Sequence, residues 1–162
     1  MRVLVRTVVL LVGLVGLRTA VNPGQQATVS PYHNDPRLAA LKGFFQALDS
    51  PAADLAEEFL VAADHEGLDW RLLPSIAILE SGGGKEFSNN NILGWDSCRQ
   101  SFPSVRAGIH IVAARLARST FYRDKDLAAK LAAYNPNAEY PLHVKRLMAR
   151  LAARLEQAAQ ID

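Results

Sequence analysis

Cysteine is almost missing from this sequence. Cys98 is the only one among 162 residues, so no internal disulfide can form and the fold must be held by its core. As a single thiol in a loop it also belongs to no recognised Cys–His signature for nucleophilic chemistry. Runs of β-branched residues are scarce after the first 20 positions, while Ala and Leu are abundant; this argues against a sheet and for helices. A basic surplus is lacking as well. Arg2, Arg6 and Arg18 lie within the first 20 positions, which leaves 15 of the 18 basic side chains facing 16 acidic ones. The remainder therefore has no general excess of positive charge for neutralising phosphates, and a nucleic-acid role is disfavoured. There is no internal repeat or low-complexity tract, and the length is that of one domain.

Metal-ligand spacing is absent too. His65-Glu66 opens like a zinc-protease helix, but Asp69 stands where the second histidine belongs, and His33, His110 and His143 fit no ligand pattern. Gly82-Gly83-Gly84-Lys85 has the look of a phosphate loop, yet Leu79 occupies the position of that motif's first glycine. Glu86 stands where Ser or Thr would bind magnesium. No metal and no cofactor are expected.

What is present begins with an apolar leader. Arg2 and Arg6 precede an apolar run over residues 7–17, about the length of a signal-peptide core and short of the roughly 20 residues that span a bilayer. Residues 1–20 are expected to be an export signal cut after Ala20. Arg18 fits the small residue preferred near the cut poorly, so an uncleaved anchor associated with the membrane is the other reading. Residues 21–34, with Asn22-Pro23-Gly24 and Ser30-Pro31, have linker composition. Residues 35–162 form the expected folded domain, a monomer.

Within that domain the patterning is helical. Asp35 before Pro36 predicts a capped helix with Leu38, Leu41, Phe45 and Leu48 inward. Asp49-Ser50-Pro51 repeats the device for a helix reaching about Glu66, ended by Gly67. Asp69 predicts a third helix over 69–79, with a start at Pro74 as the alternative. Residues 82–103, rich in Gly, Asn and Ser, lack periodicity and read as a long loop. Further helices are predicted from Ser104, over 126–133, and over 140–158. The last carries Val144, Leu147, Met148, Leu151 and Leu155 on one face and Lys145, Arg146, Arg150 and Arg154 on the other. That basic row reads first as a solvated face and second as a contact for anionic wall polymer or lipid.

The chemistry concentrates at Glu80. Leu73, Ile76, Ala77 and Glu80 share one helical stripe, so the carboxylate is either buried or lies where the stripe meets a cleft. Partial burial disfavours the charged form and lets the group hold a proton near neutral pH. The three glycines after Ser81 end the helix and present Glu80 beside a loop. A surface Glu at a frayed helix end is the plainer reading of the spacing.

The run Leu68-Asp69-Trp70-Arg71-Leu72-Leu73-Pro74-Ser75-Ile76-Ala77-Ile78-Leu79-Glu80-Ser81-Gly82-Gly83-Gly84-Lys85 resembles the core motif of the glucosaminidase domain family. These are endo-β-N-acetylglucosaminidase-like proteins related to lysozymes and lytic transglycosylases. Asn90-Asn91-Ile92-Leu93-Gly94-Trp95, then Phe102-Pro103-Ser104 with Gly108-Ile109 and Leu116, then Tyr134-Asn135-Pro136 with Tyr140, Val144 and Met148, resemble further family segments in order. The resemblance spans roughly residues 55–151. It implies a mainly α, lysozyme-like fold with a long active-site loop region after the catalytic helix. It also implies an exported enzyme of the periplasm, cell envelope or extracellular space that cuts β-1,4 bonds in peptidoglycan glycan strands.

In that scheme Glu80 is the general acid and Tyr134 a cleft tyrosine. Ser81, Asn90, Asn91, Trp95 and Tyr140 are the substrate-binding candidates. A second carboxylate is sought across the cleft; Glu86 and Asp96 are available, and Asp96, directly after the Gly-Trp pair, is preferred. Hydrolysis is preferred to lytic transglycosylation because Asn91-Ile92-Leu93-Gly94-Trp95 stands where a transglycosylase segment belongs. A wall-binding module without turnover is the alternative from another class.

Overall fold

The computed structural model describes residues 30–158. The expected signal or anchor and residues 21–29 of the expected linker lie outside the described residues. Within them the chain is mainly helical, with six α-helices and no strand. The helices are α1 (Pro36–Gln46), α2 (Ala56–Glu66), α3 (Leu72–Ser81), α4 (Val105–Arg118), α5 (Leu127–Tyr134) and α6 (Tyr140–Ala158). Short 3-10 turns occupy Pro51–Leu55 and Trp95–Cys98. None of these helices is long and apolar enough to cross a membrane.

Caps start the helices where the sequence signals them. The side chains of Asp35, Ser104 and Asp126 accept from the backbone N–H groups of Arg37, Ala107 and Ala129, each replacing a bond the first helical turn cannot supply. Three boundaries differ from expectation. The element after Pro51 begins as a 3-10 turn, which Ser50 caps by accepting from the N–H of Ala52. Helix α3 begins at Leu72, later than Asp69 and earlier than Pro74. Asp69 builds the preceding turn, its side chain accepting from Arg71 N at 3.0 Å and its carbonyl from Leu72 N at 2.9 Å. Pro74 then falls in the first turn of α3, where its missing N–H leaves no helical bond unmade. The helix continues through Ser81, where Gly82 closes it in the left-handed conformation.

Helix α3 packs between α2 and α6; α2 also lies on α4, and α6 on α1 and α5. The core joins Phe44, Phe45 and Phe59, with ring centroids 5.8 and 5.6 Å apart, to Leu73, Ile76, Ile109, Val112, Val144 and Leu151. Burying side chains of this size contributes roughly 1.5–3 kcal/mol each, and no disulfide is needed. On α6, Val144, Leu147, Met148 and Leu151 are buried as the stripe predicts. Its basic face is partly packed: the Arg150 guanidinium lies 5.8 Å from the Phe44 ring centre.

The loop between α3 and α4 is tied down at several points. The Gly83 carbonyl accepts from Ser50 Oγ at 2.8 Å and from Ala52 N at 3.0 Å. Ser81 Oγ donates to the Ile92 carbonyl at 2.7 Å and accepts from Gly84 N at 3.0 Å. The end of α3, and with it Glu80, is thereby fixed against the loop that follows.

Candidate active site

Leu73, Ile76 and Ala77 are fully buried, and Glu80 continues their stripe one residue before α3 ends. Its side chain is half-buried, but Oε1 is enclosed and has no hydrogen-bond partner. Burial raises the Glu80 pKa above the ordinary carboxyl value, against smaller lowering effects from the Tyr140 hydroxyl and the Asn135 side chain. Neither neighbour closes a hydrogen bond of ordinary geometry, and Tyr140 Oη is itself enclosed without a partner. Two buried polar atoms without partners therefore lie close together where the end of α3 meets the start of α6. A buried oxygen without a donor is costly when charged and much less so when it carries a proton.

The backbone of Gly94 covers the other side of the carboxyl. Its φ of +66° is in the left-handed region, and a Cβ there would lie 2.4 Å from Glu80 Oε2. Glycine is required at this position both for its conformation and for the contact.

The loop beyond Gly94 is organised by Asn91, which is 1% exposed. Its Oδ1 accepts from Trp95 N at 2.9 Å, and its Nδ2 donates to the carbonyls of Trp95 at 2.8 Å and Gln100 at 3.3 Å. Asn90 is exposed and donates to the Phe102 carbonyl at 2.8 Å. Asn91 and Ser81 spend their polar atoms inside the protein and act as latches for the loop. These bonds engage the polar atoms of both residues, expected from the sequence as substrate contacts, while Ser81 also lines the hollow beside Glu80.

Trp95 is half-buried in an aromatic group. Its ring meets Tyr134 edge-on at 5.6 Å and Tyr122 at 5.7 Å, with the Arg115 guanidinium 5.3 Å from its centre. Tyr134 stacks on Tyr140 at 6.1 Å with an 8° tilt and donates its hydroxyl proton to the Leu93 carbonyl at 2.5 Å. Burial, and next the neighbouring Glu80, push the Tyr134 phenol pKa well up, so this donor stays protonated. Its proton already serves Leu93, which makes Tyr134 a brace between α5 and the loop. Tyr140 is 6% exposed; its ring is taken up by Tyr134 and its hydroxyl is enclosed near Glu80, so it offers no open stacking face.

Two hollows flank this region. One, of about 300 Å³, is lined by Glu80, Ser81, Gly82, Lys85 and Glu86. The other, of about 330 Å³, is lined by Trp95, Asp96, Ser97, Phe121, Tyr122, Ala133 and Tyr134. Asp96 is exposed, pairs with Arg99 at 2.5 Å and belongs to the aromatic hollow. Glu86, the carboxylate passed over in the sequence, shares the hollow of Glu80. Asp96, the partner preferred from the sequence, lines the aromatic hollow and not that of Glu80.

Asn135 and Gly94 were not singled out by their spacing, although both lie inside quoted motif segments. Only the fold shows that each turns toward Glu80. Among the described residues, no three His, Cys, Asp or Glu side chains gather into a metal site. No protein family, curated protein or solved structure matches the chain.

Proposed function

We propose that the chain is an exported peptidoglycan hydrolase of lysozyme-like fold that cleaves β-1,4 bonds between N-acetylated amino sugars, with Glu80 as general acid. The observation that carries this reading is the state of Glu80: half-buried, raised in pKa, with one enclosed oxygen lacking a partner, at a helix end that lines an open hollow. A carboxyl in that state keeps its proton to a higher pH than a free one, and the bridging oxygen of a glycoside needs a proton as an oxocarbenium-like centre develops. The proton passes from Glu80 to that oxygen, the bond to the anomeric carbon breaks, and water completes hydrolysis. Glu86, lining the same hollow, is the carboxylate available to the sugar's other face. Where the substrate's own acetamido oxygen takes that part, either hydrolysis or an anhydro-sugar product follows.

The test is digestion of purified peptidoglycan by the full chain, with products identified by mass spectrometry. Reducing-end N-acetylglucosamine identifies a glucosaminidase, reducing-end N-acetylmuramic acid a muramidase, and 1,6-anhydro ends a lytic transglycosylase. Retention on the wall without any product overturns the enzyme reading and leaves a binding module.

A further inference from the structure

We infer that the exposed basic row of α6 docks the protein on a lipid bilayer rich in anionic phosphate headgroups. The inference goes beyond the hydrolase reading and does not depend on it, because no residue of α6 lines either hollow.

The arginines before α6 have partners. Arg37, Arg71, Arg99, Arg106, Arg118 and Arg123 each pair with a carboxylate, and Arg115 donates to the Gln100 side chain. Helix α6 breaks this pattern. Residues 140–155 hold Lys145, Arg146, Arg150 and Arg154 and no Asp or Glu. Among the described residues, no carboxylate pairs with any of the four. The helix dipole does not call for them either. It favours cations in the last turn, and no basic residue lies there.

Arg146, Arg150 and Arg154 recur every four residues, so they climb about 12 Å along one side of the helix. Two of them are set in place by α1. The Arg150 guanidinium lies 5.8 Å from the Phe44 ring centre, and Arg154 Nη1 lies 3.0 Å from where a Cβ on Gly43 would be. Glycine is a poor helix former, and the room it leaves inside α1 is taken up by this guanidinium. Planar guanidiniums held in position suit the oxygens of phosphate groups.

Leu142 points to a bilayer as the source of those phosphates. It extends the row by one step of four and is 49% exposed. Ala149 and Ala153, also exposed beside the row, are too short to keep a surface away. A leucine in line with cations suits the boundary between headgroups and acyl chains, whereas a soluble phosphate polymer gives it nothing to bury against. The expected leader over residues 1–20 also takes the chain to a membrane.

The test sediments the full chain with vesicles of phosphatidylglycerol and phosphatidylcholine in equal parts, and with vesicles of phosphatidylcholine alone. Residues 1–20 can enter either vesicle, so the readout is the difference between chains that share them. Arg146→Gln with Arg150→Gln is expected to lower partition onto the anionic vesicles about 25-fold, about fivefold for each arginine. Partition onto the neutral vesicles should not change. Arg146→Gln alone, at an exposed position without packing contacts to α1 rings, should show the fivefold loss by itself. Arg99→Gln with Arg123→Gln removes the same net charge from the loops flanking α4 and is expected to change partition by less than about twofold. Leu142→Ser should weaken partition onto the anionic vesicles and leave binding of soluble polyphosphate unchanged. No loss in Arg146→Gln, or an equal loss in the two double variants, overturns the docking face. Losses in the arginine variants that are equal for vesicles and polyphosphate, with Leu142→Ser without effect on either, overturn the bilayer in favour of a phosphate polymer.

Discussion

The backbone of Gly94 rests on the carboxyl of Glu80: a Cβ added there would lie 2.4 Å from Oε2 and 2.9 Å from Cδ. The glycine of the loop and the acid at the end of α3 are thus one unit, with the loop closing a side of the carboxyl that water would otherwise reach. Gly67, which ends α2, has nearly the same backbone, φ +63°, but nothing within 4 Å of an added Cβ.

That pair makes a controlled comparison. Gly67→Ala should cost about 1 kcal/mol, the left-handed penalty alone. Gly94→Ala should cost more, about 2–4 kcal/mol, because either the loop or Glu80 must move as well. Denaturant unfolding of the two variants checks this, and only Gly94→Ala should also abolish glycan cleavage.

Asn91 holds the loop that carries Gly94 and Trp95. Asn91→Ala removes three hydrogen bonds and leaves the Trp95 N–H without its acceptor, which should destabilise the protein by about 1–3 kcal/mol. Hydrogen exchange should show the Trp95 amide losing protection well before the amides of α2.

The raised pKa of Glu80 carries a sign for stability. A carboxyl whose pKa is higher folded than unfolded favours the protonated folded protein. Its contribution is fully present below the unfolded value and is lost as pH rises through the folded one. Glu80→Gln, which keeps the shape without the charge, should therefore raise Tm at pH 8 by a few degrees and leave it nearly unchanged at pH 4. Thermal melts at the two pH values read this difference without reference to activity.

The Tyr140 hydroxyl counteracts part of that rise. Tyr140→Phe should push the Glu80 pKa higher still and extend the alkaline limb of the pH–rate profile to higher pH. A packing role alone would lower the rate without moving the limb.

Periodicity carried much of the fold in the sequence. The stripes Leu73-Ile76-Ala77 and Val144-Leu147-Met148-Leu151 are buried as spaced, and Asp35, Ser104 and Asp126 cap where their positions indicate. Glu80 was legible because it continues a buried stripe. The roles of Ser81, Asn91, Tyr134 and Tyr140 were not, since a polar side chain in a loop motif looks the same whether it turns outward or bonds to a carbonyl 4 or 41 positions away. The choice between Glu86 and Asp96 was equally closed to spacing. It depends on the left-handed turn after Gly94, which carries Asp96 to the aromatic hollow.

Glu80 as proton donor is tested most directly by the rate at which the Glu80→Gln chain, shown by circular dichroism to be folded, releases soluble glycan from purified peptidoglycan beside the unmodified chain. The expected rate is lower by about 100-fold or more, the usual scale of a lost general acid. Release at the unmodified rate would contradict it.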